Sequence, residues 1–328
     1  MNKAPTSSVT IVGAGGIGCA VGHGLASGGW DVLMVETNAA KVEHGLAHGI
    51  SIEGIGIQAA RFTRFDDWKP ESNDLILLCT KCFDNAAVLD RLQDTALVIP
   101  IQNGFDLELQ SRCSHECIAS FVSECDAGRP HTRITRMGDL HIGPCDTSAP
   151  LPNALAQLAS TLAEHAIFST VTVQNILPFK HSKLMYNAAI GPLAAVTGLD
   201  NGQLLTHRVA RKLFFAFLRE NFAILRKAQI PLATIGPFHP RIVNRILRTP
   251  MLGTMMSGPF SRSLKGTYCS MSGDIELGRT EVDNFNGHLL KIARDERCPF
   301  NTSAVRLVNH MAATRTKPEL KMLDEFLT

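Results

Sequence analysis

A chain of 328 residues, 45% hydrophobic and 19% charged, is long enough for two packed globular domains and is not biased toward disorder. Its 32 basic and 30 acidic side chains leave a formal charge of +2, with no basic block interleaved with aromatics, which excludes nucleic acid as an expected partner. The short polar start, residues 1–8, runs directly into a strand pattern, and no apolar run reaches membrane-spanning length. With nine scattered cysteines that suit a reducing compartment, the expectation is a cytoplasmic protein without signal peptide or membrane span.

The first element is a short β-branched strand, Val9-Thr10-Ile11-Val12, which ends in Gly13-Ala14-Gly15-Gly16-Ile17-Gly18 before the helical pattern that starts at Cys19. The G-x-G-x-x-G spacing assigns Gly13 to a tight turn, Gly15 to close backbone approach by a pyrophosphate and Gly18 to packing of helix on strand. Gly16 and Ile17 complete the loop ahead of the helix N-terminus, where free N–H groups and the macrodipole favour an anion. The six letters alone would also fit an unliganded glycine turn. A second strand, Asp31-Val32-Leu33-Met34-Val35, ends at Glu36 about twenty residues further on, as a dinucleotide-binding unit requires. A carboxylate there can accept from ribose hydroxyls and would repel a 2′-phosphate, so NAD is favoured over NADP. The competing reading has Glu36 in solvent and Lys41 on a phosphate.

Residues 49–54 and the alternating stretch after them predict a small hairpin before the apolar strand Asp74-Leu75-Ile76-Leu77-Leu78-Cys79, of the kind buried on both faces of a parallel sheet. That strand ends in Thr80-Lys81. A helix over 85–94 and the strand Ala96-Leu97-Val98-Ile99-Pro100-Ile101 follow, then Gln102-Asn103-Gly104. Polar residues at the C-terminal ends of successive parallel strands line the ligand crevice of a doubly wound sheet, which makes Lys81 and Asn103 site candidates. A solvated loop lysine and an Asn-Gly turn are the plain alternatives. Residues 118–142 alternate like further strands, and 150–165 read as an amphipathic helix. Cys79-Thr80-Lys81-Cys82 has C-x-x-C spacing, but without a second pair at zinc-site distance it reads as thiols without metal or redox function.

Beyond Val173 long helical periodicity replaces alternation, which puts a domain boundary between 1–173 and 174–328. The run His181-Ser182-Lys183-Leu184-Met185-Tyr186-Asn187-Ala188 stacks Lys183 and Asn187 at i and i+4 within apolar surroundings. An ammonium and an amide there need partners, supplied by the protein or a polar ligand; a snorkelling lysine and a capping amide are the bland version. Phe214, Phe215, Phe217 and Phe222 read as helix core. Arg241, Arg245 and Arg248 share a helical face, either solvated or meeting an anion or a subunit. Residues 251–267 read as a mobile loop leading to Ser270. The polar run from Cys269 precedes a helix over 282–294, with Glu281 near its N-terminus as a cap or a site group.

Taken in order, Gly13-Ala14-Gly15-Gly16-Ile17-Gly18, Cys79-Thr80-Lys81, Ile101-Gln102-Asn103-Gly104, Lys183-Leu184-Met185-Tyr186-Asn187, Ser270-Met271, Gly278-Arg279 and Thr280-Glu281-Val282-Asp283 resemble the ketopantoate reductase (2-dehydropantoate 2-reductase) family along essentially the whole chain. The resemblance implies α/β architecture: an N-terminal Rossmann-type doubly wound parallel sheet followed by an all-helical domain. It implies an NAD(P)-dependent reductase interconverting a 2-keto acid and its 2-hydroxy acid. Lys183 then corresponds to the general acid, Asn187 and Ser270 to substrate-binding groups, Glu281 to the site carboxylate, and Lys81 and Asn103 to cofactor-side residues. No metal is expected, and a homodimer is left open. Three positions depart from the family's habit. Gly191 stands where a second asparagine is usual, Glu36-Thr37 where a basic residue is common, and the segment between Met271 and Glu281 is one residue shorter. The first two support a dehydrogenase of a different 2-hydroxy acid working with NAD. A non-catalytic dinucleotide sensor is the reading from another class.

Overall fold

The computed structural model describes residues 7–92, 96–147, 149–249, 258, 261–262 and 264–327. The first six residues, the end of the helix expected over 85–94 and most of the loop expected over 251–267 lie outside them. By internal contacts the chain divides into one unit of Met1–Gln102 with Asp106–Ile176 and another of Asn103–Phe105 with Leu177–Thr328.

The first unit is built on strands β1 (Ser8–Val12), β2 (Asp31–Glu36), β5 (Arg61–Arg64), β6 (Leu75–Leu78) and β7 (Leu97–Pro100). They form a five-stranded parallel sheet in the order β5-β2-β1-β6-β7. Successive residues enter opposite cores: Ile11, Met34, Leu77 and Ile99 pack on one face, and Val12, Val35, Leu78 and Val98 on the other. Burial on both faces is why β6 reads Leu-Ile-Leu-Leu without a polar alternate. The chain leaves β1 for one side of the sheet and β6 for the other, which makes their C-terminal ends the switch point of a doubly wound sheet.

The hairpin expected near residue 50 forms from β3 (Ile50–Ile52) and β4 (Gly56–Gln58). It joins β9 (Val122–Cys125) and β10 (His131–Arg136) in a second sheet, ordered β4-β3-β10-β9. A third sheet is made of β8 (His115–Ala119), β11 (Asp139–Pro144) and β12 (Ser169–Thr172). Strand β5 was not anticipated. As an edge strand it needs one buried face, and its Phe62 alone supplies it, packing where a Cβ on Gly45 would come within 2.5 Å of the ring. The helix after Lys81 is shorter than its spacing predicts. It runs Asn85–Leu89 and closes with the tighter bonds Arg91 N to Val88 O and Leu92 N to Leu89 O.

The second unit is helical. Its longest helices are one of 21 residues, Leu177–Thr197, which carries Lys183 and Asn187, and one of 20 residues, Arg208–Lys227, whose Phe217, Leu218, Phe222 and Leu225 are core as expected. Pro192 sits inside the former and leaves the carbonyl of Ala188 without its intrahelical donor. The buried amide of Asn286 takes that carbonyl at 2.8 Å and also donates to Asn301 Oδ1 at 2.9 Å. Asn301 Nδ2 donates in turn to Glu220 Oε1 and Asn221 Oδ1, both at 2.8 Å, and Asn221 Nδ2 donates to the Met185 carbonyl at 3.0 Å. The Glu220 carboxylate also accepts from the backbone N–H groups of Phe300 and Asn301, at the N-terminus of helix Pro299–Thr314. Four side chains thus hold the lysine-bearing helix to three other helical elements. The helix expected over 282–294 begins as a π-turn, Asp283–Gly287, continues as His288–Ala293, and ends at Arg294 with φ 55°.

Candidate active site

In the first unit the glycine turn leaves β1 at the switch point. Gly13 has φ 102°, and a Cβ there would lie 3.0 Å from the Cys79 carbonyl carbon, so only glycine serves the turn and its packing against β6. A Cβ on Gly18 would fall 2.0 Å from the Gly13 oxygen, which enforces the close approach of helix and turn. At Gly15, by contrast, no atom lies within 4 Å of an added Cβ, and no side chain caps helix Gly16–Ser27. That open cradle at a helix N-terminus fits a pyrophosphate. Gly16 is close-packed on Ser123 of β9, and Ile17 is half-buried.

Glu36 turns back to this loop. Its carboxylate accepts from Ala14 N at 3.1 Å, Thr37 N at 2.7 Å and Asn38 N at 3.0 Å. Lys41 reaches the same residue at its carbonyl, with Nζ 3.0 Å from the Ala14 oxygen. Glu36 and Lys41, opposed in the sequence reading, therefore share one residue of the turn. The loop after β6, with half-buried Lys81, is set by buried Gln102: its Nε2 donates to Thr80 O at 2.8 Å and to Asn85 Oδ1 at 2.7 Å. Cys79 is desolvated, which pushes its thiol up to about 12, and Cys82 is buried against Gln102. Among the described residues no His, Cys, Asp and Glu cluster could hold a metal ion.

In the second unit Lys183 and Asn187, both half-buried, share a face of helix Leu177–Thr197. The segment Asn103–Phe105 belongs with these helices. Phe105 N donates to Asn284 O at 3.0 Å and Asn284 Nδ2 donates to Phe105 O at 2.9 Å, and the Phe105 ring stacks on His288 at 4.2 Å and meets His181 at a tilt at 4.8 Å. Asn103 is thereby tethered beside the turn that precedes Lys183. Glu281 is buried at 4% exposure, and its carbonyl accepts the N–H groups of Asn284 and Phe285, so it starts the helix that holds Phe105. Ser270 is exposed in a turn next to buried Met271, whose Cε would lie 3.3 Å from a Cβ on Gly191, one turn beyond Asn187. Met271 thus packs beside Ser270 on the lysine helix at Gly191, and the Phe105–Asn284 bonds join the segment of Asn103 to the helix that Glu281 starts. The arginines at 241, 245 and 248 are exposed.

Sequence reasoning missed Lys180, His181, His288 and Phe105. Lys180 is 2% exposed, with Nζ 4.7 Å from the centre of the Phe105 ring. Burial, together with the nearby Lys180 charge, pulls His181 down to about 4, and burial with the His181, Lys180 and Lys291 charges does the same to His288. Lys180 was legible as the i−3 neighbour of Lys183; the ring stack was not, because Phe105 is remote in sequence.

Against this geometry stand the known proteins. The profile of ketopantoate reductase PanE/ApbA matches residues 9–147, and that of the ketopantoate reductase PanE/ApbA C-terminal portion matches residues 175–312. The chain belongs to the ketopantoate reductase family and is an NAD(P)-dependent oxidoreductase acting on CH–OH groups. The 2-dehydropantoate 2-reductase of Pyrococcus horikoshii is 26% identical over 305 residues, covering 87% of this chain and 90% of that one. A PanE/ApbA family ketopantoate reductase from Ralstonia eutropha JMP134 superposes with TM-score 0.73 at 24% identity, over 94% of this chain and 100% of that one. The ternary structure of D-mandelate dehydrogenase with NADH and anilino(oxo)acetate gives TM-score 0.75 at 18% identity with the same coverage.

Proposed function

We propose that the protein reduces a 2-keto acid to its 2-hydroxy acid, with ketopantoate as the first substrate to test and Lys183 as general acid. The observation that supports this reading is that Lys183 and Asn187 stand at i and i+4 on one helix, which at Gly191, one turn on, packs against Met271 beside Ser270. Gly13, Gly15, Gly16, Ile17 and Gly18 hold the pyrophosphate, Glu36 takes the ribose hydroxyls, and Lys81 and Asn103 complete the cofactor side. When bound, the dinucleotide supplies the hydride. Lys183 stabilises the negative charge that develops on the carbonyl oxygen and then gives it a proton. In the oxidative direction its neutral amine takes that proton back. Asn187 has donors and an acceptor to fix the substrate's orientation, Ser270 binds the carboxylate end, and Glu281 provides the site's own carboxylate.

NAD is the preferred dinucleotide in this reading, since the Glu36 carboxylate points at the turn and Lys41 is engaged by the Ala14 carbonyl. A second reading, a different 2-hydroxy acid, is favoured by Gly191. The space beyond it is bounded by Met271 Cε and Cys269 Sγ rather than by an amide that could meet a distal hydroxyl.

Steady-state reduction of ketopantoate with NADH and with NADPH, side by side, tests both. Turnover with ketopantoate supports the first reading, and NADH binding without it moves the search to other 2-keto acids. Lys183→Ala should lower turnover by roughly a hundredfold or more while dinucleotide affinity is kept. Turnover that survives this change removes Lys183 from the mechanism.

A further inference from the structure

The turn that carries Ala14 also collects sulfur. Cys125, half-buried at the end of β9, and Cys19, fully buried in the first turn of helix Gly16–Ser27, each place Sγ 3.4 Å from the Ala14 carbonyl oxygen. Lys41 Nζ lies 3.6 Å from Cys125 Sγ and 3.0 Å from that same oxygen. Neither thiol is in a disulfide. A hydrogen bond from Cys19, then the Lys41 ammonium, pull Cys125 down to about 7 against the cost of burial and the Asp126 charge. The same bond, then burial, push Cys19 up. Desolvation alone pushes Cys79 up to about 12 and, foremost among its causes, pushes Cys117 well up too, so burial in this unit does not by itself produce a thiolate.

We propose that Cys125 is a hydroperoxide-reactive thiolate at the dinucleotide loop and that Cys19 resolves it to a disulfide that weakens dinucleotide binding. The Cys125 thiolate attacks one peroxide oxygen; the O–O bond breaks, sulfur gains OH and is oxidised by two electrons, and the other oxygen leaves as hydroxide. Cys19 sulfur then attacks Cys125 sulfur, the S–O bond breaks, and the hydroxyl departs with the Cys19 proton as water. With hydrogen peroxide the net change is two thiols and one H2O2 to one disulfide and two waters. The two sulfurs, each 3.4 Å from one carbonyl oxygen, must close to the ~2.05 Å of a disulfide bond. That movement withdraws both thiols from Ala14, whose N–H and carbonyl are the anchor points of Glu36 and Lys41. As regulation of the proposed dinucleotide site, the inference rests on that reading for its binding consequence, but not for its chemistry.

The test treats the reduced full-length protein with hydrogen peroxide, alkylates the remaining thiols, maps peptides by mass and titrates NADH in parallel. The expected result is a linked pair of Cys19 and Cys125 peptides, lighter by two hydrogens, with NADH affinity reduced tenfold or more and restored by dithiothreitol. In Cys19→Ala the oxidation stops at a sulfenic acid on Cys125 that dimedone traps. Cys125→Ser keeps its NADH affinity in peroxide. The proposal is overturned if Cys125 stays alkylatable at peroxide levels that oxidise Cys145 and Cys269, two further partly exposed thiols, or if the disulfide forms and NADH affinity does not change. If the reduced protein binds neither dinucleotide, the dinucleotide reading fails, while the peptide masses still decide the disulfide.

Discussion

Gly18 shows how closely the turn is specified at the level of one residue. An added methyl would sit 2.0 Å from the Gly13 oxygen, a distance that forces the helix off the turn. Gly18→Ala should therefore weaken NADH binding tenfold or more, measured by fluorescence titration, even where the sheet still folds. Glu36 is a different case, since its Oε1 accepts from Thr37 N and Asn38 N and its Oε2 from Ala14 N, so an amide oxygen can serve the first pair while the Ala14 bond is given up. Glu36→Gln keeps an acceptor and removes the charge that repels a 2′-phosphate. The ratio of kcat/KM for NADPH over NADH should rise several-fold; an unchanged ratio would mean that the carboxylate does not face the ribose. Both residues were legible in the sequence, because a glycine spacing and a carboxylate at a strand end are local signals. Their shared attachment to Ala14 was not, since it depends on where β2 and the turn meet in space.

At the scale of the element, helix Leu177–Thr197 is written plainly in its periodicity, but its tolerance of Pro192 is not. The carbonyl that Pro192 orphans is satisfied by Asn286, 98 residues away, inside a π-turn that no spacing rule announced. Asn286→Ala removes donors to both Ala188 and Asn301 and leaves buried acceptors unmet, which should cost about 2–4 kcal/mol of unfolding free energy. Chemical denaturation of the variant measures it, and a change below about 0.5 kcal/mol would show that the Ala188 carbonyl finds another donor. Cys125 was similarly invisible as a reactive group: within β9 it is one residue of an alternating strand, and only the second sheet's packing brings it to Lys41.

For the whole molecule, pH is the informative variable. His181 and His288 sit at about 4 in the folded chain against an ordinary 6.5, because burial and neighbouring charge penalise their cationic forms. Between those values the unfolded chain binds protons that the folded chain does not, so stability is full above about pH 7 and falls as pH drops toward 4. Unfolding midpoints at intervals between pH 7 and pH 4 should decline, and His288→Phe, which keeps an aromatic face on Phe105, should decline less. The sequence by itself determined the parallel α/β unit, the helical unit, the glycine turn, and the pairing of Lys183 with Asn187, because each is a repeat of period two or about four within a single element. Only the tertiary structure decided that Asn103 travels with the helices through Phe105, that Lys180 is buried against that ring, and that two thiols and a lysine converge on Ala14. Those outcomes depend on contacts between residues far apart along the chain, which local spacing does not encode.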